Sequence, residues 1–417
     1  MKGKLIPYTI FIVCLYFSLF NFPLTPLGLS MGTKNLLYLF LMLVLFVNGR
    51  KYGNLLKNFR KEFILLFLVL LYVLFRTLAG GDSDILTKNI FGFLDNFFVP
   101  LALVLYAVKS GISTEKQFIR CILILGAVAS VISLVSFIFP PVQAYIKYNI
   151  LNLQPETALY WNNYRGFGLA MSLTSSYAYI QGIIFVLGCF YSKDNRWFLF
   201  FLPLVLLSVI FNARTGLLIL LIGVVIFFVS RKRNFTSFLF GMLAIFMLIF
   251  LQDIMQTFGV SSEIREWVAV LFDDLDTIYS SRDLTQTNTG SRLFDSMWIL
   301  PETQSEWLIG KGYSLFRTEI DEHSDNGWIL QLNYGGIIYM LFLYPIIIRM
   351  VSGLYKIGRK TFAIYILIVF LIINTKSSFY PASETFRLLM IIYMFFILMS
   401  KNNDKKIVYD KSYFRGF

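Results

Sequence analysis

The 417-residue chain is expected to be an all-α polytopic membrane protein, with about twelve transmembrane helices and one long extracytoplasmic loop. Three observations lead there. Hydrophobic residues make up 57% of the chain and charged residues 15%, with a mean hydropathy of +0.68. A soluble domain runs at roughly 45–50% apolar and about 25% charged. Apolar runs approaching the roughly 20 residues a helix needs to cross the hydrocarbon layer recur from one end of the chain to the other. These runs are continuous, whereas barrel strands would show alternating segments of about ten residues.

In order, the apolar runs are 5–22, 35–48, 63–79, 90–108, 118–139, 169–191, 197–211, 215–230, 235–251, 326–349, 361–379 and 386–400. The first follows Met1-Lys2-Gly3-Lys4 and lacks a small-residue cleavage site, so it is expected to persist as a span. Placing the N-terminus inside makes 1–4, 49–62, 109–120, 192–196, 231–234, 349–360 and 401–417 cytoplasmic. Those segments carry 24 of the 37 Lys and Arg but only 5 of the 24 Asp and Glu. This asymmetry follows the positive-inside rule and predicts that both termini are cytoplasmic. The formal charge of +13 would suggest a nucleic-acid partner on a soluble chain; here it records topology, and no nucleic acid is expected. Cys14, Cys121 and Cys189 fall inside apolar runs, offer no disulfide framework or metal-ligand spacing, and are expected to pack.

The chain therefore divides into spans one to nine (1–251), a large outer loop (252–325), and spans ten to twelve with a basic tail (326–417). A loop of that length is seldom mere connection. Within it, Ile264, Trp267, Val268, Leu271, Leu275 and Ile278 have helical spacing, which predicts an amphipathic helix over 263–279. A second helix is expected from Ser291 to Leu300, between the Asn288-Thr289-Gly290 turn and Pro301.

Outer-face cations are few, so each needs a reason. Arg214 lies between two apolar stretches so close together that their hairpin tip must sit at the interface, where a poorly solvated charge is costly. Arg165 and Arg292 lie in outer loops. A guanidinium clamps phosphate oxygens with two parallel hydrogen bonds and keeps its charge, so several together suit a diphosphate. The alternatives are snorkelling or a structural acid such as Asp95 for Arg214, and solvation for the other two. His323, the single histidine, stands beside carboxylates in Asp321-Glu322-His323-Ser324-Asp325-Asn326 and is a candidate general base. Equally, Ser324, Asp325 or Asn326 suits the N-cap of span ten. Asp273-Asp274-Leu275-Asp276 lacks the glycine and distal Glu of a calcium loop, and Gly310-Lys311-Gly312 is not a phosphate loop. Arg76 and Arg387, near outer span ends, are expected to snorkel, while Asp95, Asn96 and Glu384 are candidates to hold arginines in place.

The order and sidedness of these features resemble the Wzy-type polymerases of O-antigen and capsular polysaccharide, which are related to the O-antigen ligases. The resemblance is carried by the Asn212-Ala213-Arg214-Thr215-Gly216 hairpin, Gly290-Ser291-Arg292 with Trp298, Gly310-Lys311-Gly312, and His323-Ser324-Asp325-Asn326 leading into Gly335-Gly336. Arg165-Gly166-Phe167-Gly168 is similar to the family's Arg-x-Gly stretch. The family often has His-Asn at the start of the helix that ends in the paired glycines; here Asp325 precedes Asn326 and His323 stands two residues earlier.

The resemblance implies a GT-C-like helical glycosyltransferase of the bacterial inner membrane, needing no metal or other cofactor. It would transfer a growing glycan from undecaprenyl diphosphate to a lipid-linked repeat unit. Arg165, Arg214 and Arg292 would bind the diphosphate, and His323 or Asp325 would be the base. Besides the lipid-linked oligosaccharide and the lipid bilayer, it implies a chain-length regulator and a flippase as partners. A ligase-type transferase and a lipid-linked oligosaccharide flippase are the other readings. Flippases place charge along a central pathway and keep loops short, whereas here the polar inventory is concentrated in one outer loop.

Overall fold

The computed structural model describes residues 2–24, 32–153, 168–170, 175–192, 194–229, 262–291, 297–315, 323–381 and 383–404. Among them the structure is helical, with no strand and one isolated bridge between Pro23 and Gly32. The helices are α1 (Lys2–Leu19), α2 (Thr33–Val47), α3 (Gly49–Asn58), α4 (Arg60–Leu78) and α5 (Ser83–Lys109). They continue with α6 (Glu115–Ile138), α7 (Pro140–Tyr145), α8 (Ser175–Phe190), α9 (Arg196–Ile210) and α10 (Arg214–Val229). After α11 (Ser262–Ser281) and α12 (Gln304–Ile309) come α13 (Gly327–Lys356), α14 (Lys360–Lys376) and α15 (Glu384–Asp404). Among the described residues three helices, α5, α6 and α13, are long and apolar enough to cross a membrane by length and composition, and α1, α2, α8, α9 and α10 contain shorter apolar helical stretches. The chain is an all-α, membrane-associated protein on this ground. The run at 235–251 lies outside the described residues.

Small residues set the closest helix contacts. A Cβ on Gly182 of α8 would stand 3.0 Å from the Gly216 carbonyl of α10, and one on Gly216 would stand 2.7 Å from the Ala178 Cβ. One α10 turn-pair further on, a Cβ on Gly223 would overlap Val186 at 2.3 Å. Such glycines bring backbones together where lipid supplies no hydrophobic drive for helix association, so α8 and α10 form the tight centre of the bundle. Aromatic rings fill wider gaps: Phe63 of α4 lies 5.6 Å from Phe93 and 5.4 Å from Phe97 of α5, and Phe118 of α6 stacks on Phe395 of α15 at 3.9 Å. Cys14, Cys121 and Cys189 are buried packing residues.

α13 covers the apolar run at 326–349 and is broken within it, at the Gly335-Gly336 pair. Gly336 has φ +67° and ψ −168°, which breaks the helix, and a Cβ there would meet the Leu308 backbone at 2.3 Å. The carbonyls just before the break find donors elsewhere. Lys311 N–H donates to Asn333 O, Gly312 N–H to Tyr334 O at 3.0 Å, and the Tyr72 hydroxyl to Gly335 O at 2.6 Å. Irregular backbone at membrane depth requires such replacement. The Gly310-Lys311-Gly312 turn is thus a patch over a broken helix.

Two further expectations are corrected. Of the helix anticipated over 291–300, residues 292–296 lie outside the described residues, while a helical turn spans Asn288–Ser291 and residues 297–300 are non-helical, so the helix does not reach Leu300. Arg76 and Arg387 do not snorkel. Arg76 is 8% exposed and donates from Nη2 to Gly310 O at 3.0 Å. Arg387 is 2% exposed and donates to Asp95 O at 3.1 Å, to the Asp95 carboxylate at 2.9 Å, and to Ser18 O. The helix expected over 263–279 is α11, Ser262–Ser281.

Candidate functional site

Polar groups gather at the two ends of the bundle. At one end the acids are taken up by specific partners. Glu62 accepts from Arg349 at 3.0 Å and from the Tyr393 hydroxyl at 2.6 Å, Glu115 pairs with Arg359, and Asp194 pairs with Lys116. The opposite end holds most of the candidate residues, and helix termini organise it.

The N-cap of α13 is Asn326, whose side chain accepts from Trp328 N–H at 3.0 Å and Ile329 N–H at 3.4 Å. Ser324 supports it, accepting from Asn326 N–H at 3.2 Å and donating to Met297 O at 2.8 Å. Of the three residues able to cap this helix, two are used, and Asp325 is left for other work. Its carboxylate bridges two cations in waiting: Oδ1 lies 3.2 Å from His323 Nε2, and Oδ2 accepts from Lys376 Nζ at 3.0 Å. Lys376 is in the last turn of α14 and Asp325 precedes the first turn of α13. Both helix dipoles favour the charge found at that end. An ionised carboxylate only accepts, so in this contact His323 Nε2 is the donor. The side chains are 44% (His323), 25% (Asp325) and 33% (Lys376) exposed, so the row faces an accessible surface.

Beneath this row lies Tyr179 of α8, 1% exposed, whose hydroxyl makes no hydrogen bond to a described residue. Ser175, Thr215 and Ser377 surround it, with Asp325 acting on it electrostatically. Ser175 begins α8, and Thr215 is the second residue of α10. Ser176 donates to Glu384, the first residue of α15, at 2.9 Å. A Cβ on Gly327, the first residue of α13, would stand 2.4 Å from Ser377 O. Four helices therefore start around one point, and the positive ends of their dipoles favour an anion there, while the first N–H groups of α13 and α15 are already capped by Asn326 and Ser383.

Arg214 is the first residue of α10, so its backbone stands on this rim. Arg165 and Arg292 lie outside the described residues. Lys376 and Tyr179 were not anticipated. Lys376 lies at the end of an apolar run and Tyr179 inside one, and neither carries a local signal of its role. Asp95 belongs to a separate buried cluster. It sits in a π-helical turn of α5, Leu94–Phe98, and accepts from Lys34 and the Tyr38 hydroxyl as well as from Arg387. No group of metal-binding side chains occurs among the described residues. The chain matches no family model, and no curated protein matches it.

Proposed function

We propose that the protein polymerises lipid-linked oligosaccharide repeat units, as a metal-independent glycosyltransferase of the Wzy type with about twelve spans and a GT-C-like fold. In this reading the site end of the bundle faces outward from a bacterial inner membrane, and both termini are cytoplasmic. The observation that carries it is the convergence of the α8, α10, α13 and α15 N-termini beside the His323–Asp325–Lys376 row. An anion site next to a proton acceptor is what transfer from a lipid diphosphate to a hydroxyl requires.

The chemistry balances without a metal. The bond between the donor's anomeric carbon and its diphosphate oxygen breaks, and the lipid diphosphate leaves as an anion. The acceptor hydroxyl oxygen forms the new glycosidic bond, and its proton passes to His323. Fixed dipoles and guanidinium groups act on the leaving diphosphate, whose charge develops in the transition state. Arg214 is assigned to that role, with Arg165 and Arg292 as further clamps. Asp325 holds the imidazole in the tautomer that can accept the proton. Holding two lipid-anchored reactants in one place lowers the barrier further.

The test is incubation of the purified protein with an undecaprenyl-diphosphate-linked repeat unit. A ladder of products is expected from the wild type and single-repeat material from Arg214→Ala. Single-repeat material from the wild type would reject the polymerase, and transfer only to a different acceptor would favour a ligase.

A further inference from the structure

Arg76, in the last turn of α4, is a buried cation that pairs with no carboxylate among the described residues. Its guanidinium meets one acceptor there, Gly310 O, 3.0 Å from Nη2, while Nε is buried without a partner. The acid nearest in sequence, Asp82, caps α5 instead, accepting from Asp84 N–H at 2.9 Å. Glu62 and Arg387, equally buried, each have an ion-pair partner, Arg349 and Asp95. A charge withdrawn from water without a counter-charge is costly to hold. A second buried group stands nearby with capacity to spare. The Tyr334 hydroxyl of α13 makes no hydrogen bond to a described residue, and it lies beside Thr77, within the field of Arg76, Tyr72 and Asp82. The surface next to both is apolar: Phe75 and Leu78 of α4, Leu308 of α12, and Ile337 and Leu341 of α13 are exposed.

We propose that Arg76 and Tyr334 form a binding site for the phosphate of a bilayer lipid, set at the break in α13. A guanidinium with free donors matches phosphate oxygens in geometry and charge, and a phenol hydroxyl adds one more donor. Water could satisfy Tyr334, but it would leave the cation uncompensated. Free phosphate would compensate the cation, but it would leave the apolar border uncovered. A lipid does both, because its acyl chains lie along Phe75, Leu78 and Leu341 while its headgroup reaches the end of α4, where lipid phosphates are found. The site is separate from the His323–Asp325–Lys376 row: the helix from Gly327 to Gly335 stands between them, about 13 Å at 1.5 Å per residue. A lipid held there ties α4, α12 and α13 together at the point where α13 has lost its own hydrogen bonds. This holds whether or not the protein is a polymerase.

The test places a reporter beside the site. Leu78, 80% exposed and two positions after Arg76, is replaced (Leu78→Cys) and labelled with a fluorophore in the full-length protein in detergent; the native cysteines are buried. Lipids with brominated acyl chains quench the label when they bind next to it. Brominated phosphatidylglycerol is compared with brominated diacylglycerol, which has the chains and lacks the phosphate. Phosphatidylglycerol is expected to reach half-quenching at about a tenfold lower mole fraction, a preference that Arg76→Gln removes and Tyr334→Phe cuts severalfold. Lys57→Gln, which deletes an exposed charge beyond the opposite end of α4, is expected to leave the preference intact. Equal curves for the two lipids, or a preference that survives Arg76→Gln, would overturn the proposal. If Arg76→Gln does not fold, an unaltered preference in Tyr334→Phe overturns it in the same way. Inorganic phosphate tests the other source of the anion. Displacement of the brominated lipid by inorganic phosphate at equal concentration would overturn the lipid as ligand, and retention of the lipid supports it.

Discussion

Arg387 spends its guanidinium on three acceptors from two other helices, the Asp95 carboxylate, the Asp95 carbonyl and the Ser18 carbonyl. From sequence it looked like a cation near a span end, for which lipid phosphate is the usual partner. Its true partner is 292 positions away, and nothing local reveals it. The same blindness hid Lys376, whose carboxylate lies 51 positions upstream. Asp325 and His323, by contrast, were legible because they are neighbours in a polar stretch that opens an apolar run. Removing one member of a buried ion pair is expensive, since the other charge and the two carbonyls lose their partner. Arg387→Ala is expected to destabilise the protein by about 3 kcal/mol, read as a fall in the thermal unfolding midpoint in detergent. Lys34 and Tyr38 still reach Asp95 and keep the loss from being larger. Arg387→Lys should recover only part of it, because an ammonium cannot span the three acceptors in a plane.

Helices were legible where apolar runs meet charged or capping residues. The run at 118–139 is α6, opening at Glu115 behind the Thr114 cap, whose hydroxyl accepts from Gln117 N–H at 3.3 Å. The run at 361–379 is α14, closing at Lys376. What periodicity could not reveal is the discontinuity in α13, since glycine pairs also occur in unbroken membrane helices. The break depends on Leu308, a residue of the short helix α12, whose backbone lies where a side chain at Gly336 would be. Gly336→Ala is therefore expected to cost more than about 2 kcal/mol, combining an unfavourable left-handed φ with overlap against fixed backbone. Thermal unfolding in detergent measures it, and an alanine tolerated without loss would mean that α13 can straighten. Residues 297–300, where the expected second loop helix would end, are held by their backbone instead, with Met297 O accepting from Ser324 at 2.8 Å and Ile299 O from the Asn333 side chain at 2.7 Å.

At the scale of the molecule, the charged contacts among the described residues fall into two groups. Glu62, Glu115 and Asp194 gather with Arg349, Arg359 and Lys116, while Asp325, Lys376 and Glu384 lie with the helix starts at the far end. Which face is outside is a separate question, and two exposed positions answer it. Lys57→Cys on α3 should react with a membrane-impermeant thiol reagent only after cells are opened, and Glu302→Cys before α12 should react in intact cells. The native cysteines are buried and give a quiet background. The reverse pattern would invert the orientation and remove the site from the outer leaflet. The patched break in α13 has one more consequence at this scale. Because the amides of Lys311 and Gly312 close the bonds that the helix leaves open, they should exchange with deuterium as slowly as the bundle itself. A stretch of loop and a membrane helix then melt as one cooperative unit, and the 297–315 segment belongs to the protein's most stable part rather than to its margin.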